Sequence, residues 1–187
     1  MKKESLMFAT GIPICIIILI VVALISMRND IISKEESITQ QWSEVENQLQ
    51  RRYDLIPNLV STVKGYVKHE ESVFIAISDA RKAVFDAKGI NDKAKAETYL
   101  NVALNRLIVV AENYPNLKSN ENFIRLQDEL AGTENRISVA RKRYNDSVAN
   151  FNKSIKTFPG NLFGFTQKEY FNPPAKGKME ETPNVEF

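Results

Sequence analysis

The feature that most constrains this chain is an uncharged apolar stretch near its amino end. The stretch runs from residue 7 to residue 27 and reads MFATGIPICIIILIVVALISM. A helix needs about 20 apolar residues to cross the hydrocarbon core of a bilayer. A cleaved signal peptide would have a shorter apolar region, and a lipoprotein signal would place a small residue before its cysteine, whereas Cys15 follows Ile14. We therefore predict an uncleaved transmembrane helix at 7–27, preceded by a short segment at 1–6.

The charges that flank this stretch bear on its orientation. Lys2, Lys3 and the free amino group precede it, and Arg28 and Lys34 follow it. Cytoplasmic flanks of membrane helices carry an excess of Lys and Arg. The asymmetry is small and favours a cytoplasmic amino end. We therefore expect a single-pass protein whose main domain lies on the extracytoplasmic side.

Composition argues against several classes of site. The chain has 25 Lys and Arg against 23 Asp and Glu, so no net field attracts nucleic acid, and we predict no nucleic-acid partner. It has one cysteine, which excludes an internal disulfide bond. It has one histidine, His69, and no Cys or His cluster, which argues against a transition-metal site.

A seven-residue apolar repeat follows the membrane stretch and predicts packed helices. One line of the repeat contains Trp42, Leu49, Ile56, Val63, Ile77 and Val84, and a second contains Tyr53, Val60, Val67 and Phe74. The repeat keeps its phase through Pro57, although proline costs about 3 kcal/mol in a helix interior. We therefore predict one helix over about 30–87, bent near 53–57. The alternative is that Asp54 caps a new helix and the first one splits at Pro57.

Two more helices complete the predicted bundle. The turn AKGIND at 87–92 precedes a helix that runs to Tyr114 and is ended by Pro115. The last helix starts near Ser119 or Asn120 and runs to about residue 156. Within it, Gly132 favours a close helix approach, and a break there is the alternative. The fold class is all-α: an N-terminal transmembrane helix followed by an antiparallel bundle of three to four long helices at 28–158.

The remaining segment, 159–187, has no helical period. It is rich in Pro and Gly, and five phenylalanines lie between residues 158 and 187. We expect the part up to Phe171 to dock onto the bundle and the final dozen residues to be mobile.

Several of these segments resemble the LemA family of bacterial membrane proteins. The similar strings are QLQRRYDLIPNLVSTVKGYVKHE, YPNLKSNENFIRLQDELAGTENRISVARKRYNDSV, and FPGNLFGF with EYF, in that order. The resemblance extends from about residue 30 to the end of the chain. It implies an amino-terminal anchor in the bacterial cytoplasmic membrane and a helical-bundle domain. It implies no established enzymatic activity and no cofactor.

A search for catalytic motifs gives no candidate. The glycine-containing strings GIPICIII and GNLFGF lack the lysine and spacing of a phosphate-binding loop. The Glu-x-x-His motif of di-iron bundles is absent, because Tyr66 stands three residues before His69. His69 has no sequence-local partner for acid–base catalysis, and we expect it at the surface. No catalytic, cofactor-binding or metal-binding residue is predicted.

Two polar groups form the only candidate site. The first surrounds the predicted bend, and the second lies on the last helix. Their members are Arg51, Arg52, Asp54, Pro57 and Asn58, and Glu134, Asn135, Arg136, Arg141, Arg143 and Asn145. One interpretation is a solvated helix face with salt bridges worth a few tenths of a kcal/mol each. The other joins both groups across the bundle, with Asp54 paired to an arginine and the Tyr53 carbonyl bound by a side-chain donor.

The predicted function is that of a non-enzymatic, membrane-anchored scaffold, adaptor or assembly factor acting by protein contact. Its partners would be the lipid bilayer through 7–27, an unidentified protein, and a second copy of the chain. One alternative is a bundle that senses a ligand bound near Pro57 and is coupled to the membrane helix. Another is a lipid-contact or membrane-remodelling protein in which FPGNLFGF enters the membrane interface.

Overall fold

The computed structural model describes residues 2–67 and 70–172, with side chains from Pro13 onward. Its helices are α1 Lys2–Lys64, α2 Glu71–Asp86, α3 Ile90–Ala111, α4 Pro115–Lys118 and α5 Glu121–Lys156, followed by a 3-10 turn at Gly160–Leu162. No strand occurs within these ranges. The all-α fold class is therefore confirmed. The predictions for His69 and for the end of the chain lie outside the described residues.

Helix α1 carries both the apolar stretch and the first helix of the bundle. Its apolar part is long and hydrophobic enough to cross a membrane. Apart from the half-buried Leu24, the described side chains in that part are exposed, and Leu19 is 68% exposed. From Ile31 onward the same helix has a buried side chain every one or two turns, including those of Ile38 and Val45. The apolar stretch and the first helix of the bundle thus belong to one uninterrupted helix.

The helix passes through Pro57 without a break, so the chain does not split there. The prediction of one helix as far as residue 87 is wrong, because α1 ends at Lys64 and α2 begins at Glu71. The Val63 carbonyl accepts hydrogen bonds from the N–H groups of Tyr66, at 2.9 Å, and Val67, at 3.1 Å, in the turn that ends α1. Val63 and Ile77 are both buried on their separate helices. The seven-residue phase therefore survives across a turn and does not show that the helix continues.

The connections after α3 also differ from expectation. Helix α3 ends at Ala111, and Pro115 begins the short helix α4 instead of ending α3. Proline fits the first turn of a helix because its missing N–H has no helical partner there. Asn120 caps α5 as the sequence predicts, since its Oδ1 accepts a hydrogen bond from the Phe123 N–H at 3.0 Å.

Gly132 lies inside α5, which continues through it. A Cβ atom added to Gly132 would meet only the Arg136 guanidinium, with its nearest nitrogen at 3.6 Å. No neighbouring helix lies within that reach. The prediction that this glycine permits a close helix approach is therefore wrong.

The chain divides into two compact units. The first combines residues 1–41 with 146–168, and the second combines 42–145 with 169–187. In the first unit α1 and α5 bury Ile31, Ile38, Val148, Phe151 and Ile155. In the second unit, the helices bury a larger core that includes Leu49, Ile56, Ile77, Leu100, Leu107 and Phe123. Each unit therefore has a hydrophobic core of its own.

Candidate functional site

A buried arginine lies at the centre of the second unit. The Arg52 side chain is 6% exposed. Its Nη1 donates to Glu97 Oε2 at 3.2 Å and to Glu134 Oε2 at 2.9 Å, and its Nη2 donates to Asn101 Oδ1. These contacts join α1, α3 and α5 through a single guanidinium. A buried charge needs such partners, because leaving it unpaired in a medium of low dielectric is costly.

Tyr53 extends this network on the side away from solvent. Its hydroxyl donates to Glu97 Oε1, and both residues are buried. Burial raises the pKa of the Glu97 carboxyl, an effect that the Tyr53 hydrogen bond and the Arg52 charge oppose. Burial, with the neighbouring Glu97 charge, also raises the pKa of the Tyr53 hydroxyl well above its ordinary value. Tyr53 is therefore a hydrogen-bond donor at physiological pH.

We call these residues the Arg52 network: Arg52, Tyr53, Glu97, Asn101 and Glu134. Their geometry fixes the positions of α1, α3 and α5 along one another. One guanidinium is shared by acceptors on two other helices, so a shift of any helix by a turn would leave charges unpaired. Glu134 alone among its carboxylates is about half exposed. Within the described ranges, no group of three or more His, Cys, Asp or Glu side chains is arranged to hold a metal ion.

Of the sequence-predicted site residues, the structure brings Arg52 and Glu134 together. Asp54 is exposed, and the contact that its carboxylate makes is a hydrogen bond accepted from Gln50 Nε2 at 2.9 Å, not the predicted pair with an arginine. Arg51, Pro57 and Asn58 are also exposed on α1. Among the described side chains, none donates to the Tyr53 carbonyl. The link across the bundle therefore exists, but it is made by Arg52 and not by Asp54.

The remaining members of the predicted group lie apart on α5. Asn135, Arg136 and Arg143 are exposed, Arg141 is half-buried, and Arg136 Nη2 donates to Thr133 Oγ1 at 3.4 Å. Asn145 is half-buried and contacts the segment that follows α5. Sequence reasoning missed Tyr53, Glu97 and Asn101 as network members. The sequence does contain one indication of this network: Glu97 is a charged residue three positions before Leu100, on the apolar face of α3.

A second arrangement in the same unit holds an extended piece of chain, Glu169–Phe171. The Asn145 side-chain amide bonds both backbone groups of Phe171: its Oδ1 accepts from the N–H at 2.9 Å, and its Nδ2 donates to the carbonyl at 3.3 Å. The Tyr144 hydroxyl donates to the Glu169 carbonyl at 2.8 Å. Asn91 Nδ2 donates to the Glu169 carboxylate at 3.0 Å. Three polar side chains from α3 and α5 thus bind this segment.

An aromatic group completes this arrangement. The Phe171 ring is buried, and its centroid lies 5.4 Å from that of Trp42 on α1, in an edge-to-face geometry. Trp42 also contacts the ring of Tyr144, with centroids 5.2 Å apart. Burial raises the pKa of the Tyr144 hydroxyl to about 12. The hydroxyl therefore stays protonated and remains a donor to the Glu169 carbonyl at neutral pH.

The first unit contains a matching amide contact that sequence reasoning also missed. The Asn152 side chain accepts from the Lys168 N–H and donates to the Lys168 carbonyl, each at 2.9 Å. Phe165 packs edge-on against Phe151, with centroids 6.1 Å apart. Lys168 also forms an ion pair with Glu35 at 2.5 Å. The chain after α5 is therefore held by side-chain amides within each unit.

The turn that joins α5 to this extended chain exposes apolar side chains. Phe158 is 81% exposed and Leu162 is 68% exposed. Gly160, between them, is buried: an added Cβ would overlap the Ser154 carbonyl oxygen and come within 3.3 Å of Ile31 Cδ1. Ile31 follows the last residue of the apolar stretch, Met27, by about one helical turn. The turn therefore lies beside the part of α1 that leaves the predicted membrane span.

Comparisons with known proteins agree with this architecture. The LemA family model matches residues 41–187. The magnetosome protein MamQ of Magnetospirillum gryphiswaldense is 24% identical, over 99% of this chain and 78% of its own length. MamQ 2 of Paramagnetospirillum magneticum is 25% identical, over 93% of this chain and 74% of its own. Since the family model covers most of the chain, this all-α, membrane-associated protein belongs to the LemA family.

Proposed function

We propose that this protein is a non-enzymatic adaptor or scaffold, anchored in the bacterial cytoplasmic membrane by one helix and acting through contacts with other proteins. The observation that carries the proposal is the continuity of α1, which runs without interruption from Lys2 to Lys64. The apolar part of this helix confines the chain to the bilayer. Its continuation supplies Trp42, Leu49 and Arg52 to the second unit. The surfaces of that unit would therefore meet partners in two dimensions.

Two further points support a role in assembly. The relatives are named as magnetosome proteins, a name that assigns them to a cell structure and not to a reaction. The buried charges of the second unit are engaged in joining helices, which is the use expected of a framework. We place the second unit on the extracytoplasmic side, as the weak excess of charge before the membrane stretch favours.

Site-specific photo-crosslinking in living cells tests this proposal. The full chain would carry a photoreactive phenylalanine analogue in place of Phe85, Tyr99 or Val109, which are exposed on α2 and α3. We expect discrete protein adducts from at least one of these positions. Leu100, the buried neighbour of Tyr99, is the matched control and should give none. The proposal fails if no exposed position gives an adduct, or if the purified chain turns over a substrate and a folded point variant does not.

Lipid contact by the turn at 158–163 is a second candidate function. Its support is the exposure of Phe158 and Leu162 on either side of Gly160, which lies against Ile31, about one turn beyond the apolar stretch. Exposed aromatic and aliphatic side chains at that level fit the membrane interface. A polarity-sensitive dye attached at Phe158→Cys, in a Cys15→Ser chain reconstituted in nanodiscs, should emit at shorter wavelength and be quenched by spin-labelled lipid. The same dye at Phe85→Cys, which is exposed on α2, should behave as in water; equal emission at both positions would exclude lipid contact.

A further inference from the structure

We propose that the groups holding Glu169–Phe171 form a peptide-recognition site, which the chain's own segment occupies and which takes an extended Glu-x-Phe segment of a partner protein. We call it the Phe171 site and define it by Trp42, Asn91, Tyr144 and Asn145. This inference rests on the proposed function and names the class of partner that an adaptor of this kind would bind.

Recognition of the main chain comes first. Asn145 binds both the N–H and the carbonyl of one residue, Phe171, which is the contact that an extended peptide of any sequence can make. Tyr144 binds the carbonyl of Glu169, two residues earlier. Main-chain hydrogen bonds of this kind supply affinity for extended peptides, and pockets for alternate side chains supply specificity. The described chain from 164 to 172 has no helix or strand, as such a ligand requires.

The side-chain contacts define which peptides fit. Phe171 is the buried anchor against Trp42, and Glu169 is bound through its carboxylate by Asn91. Tyr170, between them, is 40% exposed. Aromatic anchors in well-packed pockets dominate the energy of many interfaces. The pattern that the site selects is therefore an acidic residue, an unrestricted residue and a phenylalanine.

The site is built by the helices and not by the segment that occupies it. Trp42 comes from α1, Asn91 from α3, and Tyr144 and Asn145 from α5. The Arg52 network fixes the same three helices to one another. A ligand on the same chain has an effective concentration on the order of millimolar, so it competes with any partner peptide. The Glu169–Phe171 segment is thus a built-in competitor that a tighter partner displaces.

The test uses the full chain in nanodiscs and a fluorescein-labelled peptide, FTQKEYFN, which copies residues 165–172. The substitution Phe171→Ala in the chain removes the anchor of the competing segment. We expect the peptide to bind this variant at least tenfold more tightly than the wild-type chain, as measured by fluorescence anisotropy. Trp42 is the only tryptophan, and its emission should shift to longer wavelength in the variant and return when peptide is added.

Three controls make the test specific. Adding Asn145→Ala to the Phe171→Ala chain should weaken peptide binding at least tenfold, and a peptide with alanine in place of Phe171 should not bind. Tyr170→Ala, at the exposed middle position, should leave both chain and peptide unchanged. If Phe171→Ala melts below the working temperature, Phe171→Leu takes its place in the same comparison. Equal peptide binding by the wild-type and variant chains overturns the peptide site, while adducts from the photo-crosslinking experiment would still support the adaptor role.

Discussion

At the scale of single residues, two adjacent arginines have opposite environments. Arg52 faces inward and is bound by Glu97 and Glu134, whereas Arg51 is exposed on the same helix. The two side chains are chemically identical, so they form a matched pair for measuring what burial adds. Removing Arg52 is expected to destabilise the protein, because it would leave the carboxylate of the buried Glu97 without its cationic partner.

Arg52→Met should therefore lower the free energy of unfolding by about 3–5 kcal/mol, the cost of breaking a buried ion pair from one side. Arg51→Met should change it by no more than about 0.5 kcal/mol, as surface substitutions do. Urea unfolding of the full chain in detergent, followed by circular dichroism, measures both values. Similar losses in the two variants would show that the Arg52 network does not stabilise the bundle.

The pKa of Glu97 predicts a pH dependence of stability. Burial raises this pKa in the folded protein, so the folded state binds the proton more tightly than the unfolded state, whose value is near 4.5. The contribution of Glu97 to stability is then present below about pH 4.5 and falls as pH rises through the folded pKa. We expect the wild-type chain to lose stability relative to Glu97→Gln from about pH 4.5 upward. A wild-type stability that stays constant or rises relative to that of Glu97→Gln over this range would contradict the raised pKa.

Only part of the candidate site is predictable from the sequence. The sequence marks Arg52 and Glu134 as polar residues near the bundle, and the structure joins them. Their partner Glu97 was missed because the sequence gives α3 an apolar face without showing which charged residue that face tolerates. The amide contacts of Asn145 and Asn152 could not be predicted from the sequence, because these side chains bind backbone groups of a segment that has no periodic pattern. Side-chain pairing across helices depends on rotations that spacing alone does not fix.

At the scale of helices, the repeat predicts that the chain is helical and which side of α1 and α5 is buried. Leu49, Ile56 and Val63 on α1, and Tyr144 and Phe151 on α5, are all in the core. The repeat does not reveal that α1 ends at Lys64. Ile77 on α2 lies fourteen residues after Val63, so the apolar spacing continues although the helix does not. Gly65, directly after the last helical residue, is the local signal of that end. A periodic pattern therefore identifies helix faces better than helix ends.

Pro57 tests whether α1 tolerates or requires its proline. Pro57 is exposed in a continuous helix and cannot donate to the carbonyl of Tyr53. Pro57→Ala restores that donor, and we expect the free energy of unfolding to rise by about 1–3 kcal/mol after the gain in unfolded-chain entropy is subtracted. Asn58→Ala, at the exposed neighbour, should change stability by at most about 0.7 kcal/mol. A loss of stability in Pro57→Ala would show that the proline is required by the packing; a gain accompanied by loss of activity in cells would make it functional.

At the scale of the whole molecule, the central claim is that α1 both crosses the membrane and supports a domain made of the remaining helices. The apolar side chains from Ile14 to Met27 are exposed apart from the half-buried Leu24, whereas the same helix is packed from Ile31 onward. An exposed apolar segment of this length is stable only if something other than the described chain covers it. A lipid bilayer meets that requirement along the whole length of the segment.

The membrane anchor can be tested most directly by thiol labelling, because Cys15 is the only cysteine in the chain. It lies exposed within the apolar part of α1, so a bilayer would shield it from a membrane-impermeant maleimide. We expect Cys15 to remain unlabelled in intact cells and to react once detergent dissolves the membrane. In a Cys15→Ser chain, a cysteine in place of the exposed Ser138 should react in intact cells, which places the second unit outside. Rapid labelling of Cys15 in intact membranes would contradict the membrane anchor, and labelling at position 138 only after the cells are opened would place the unit in the cytoplasm.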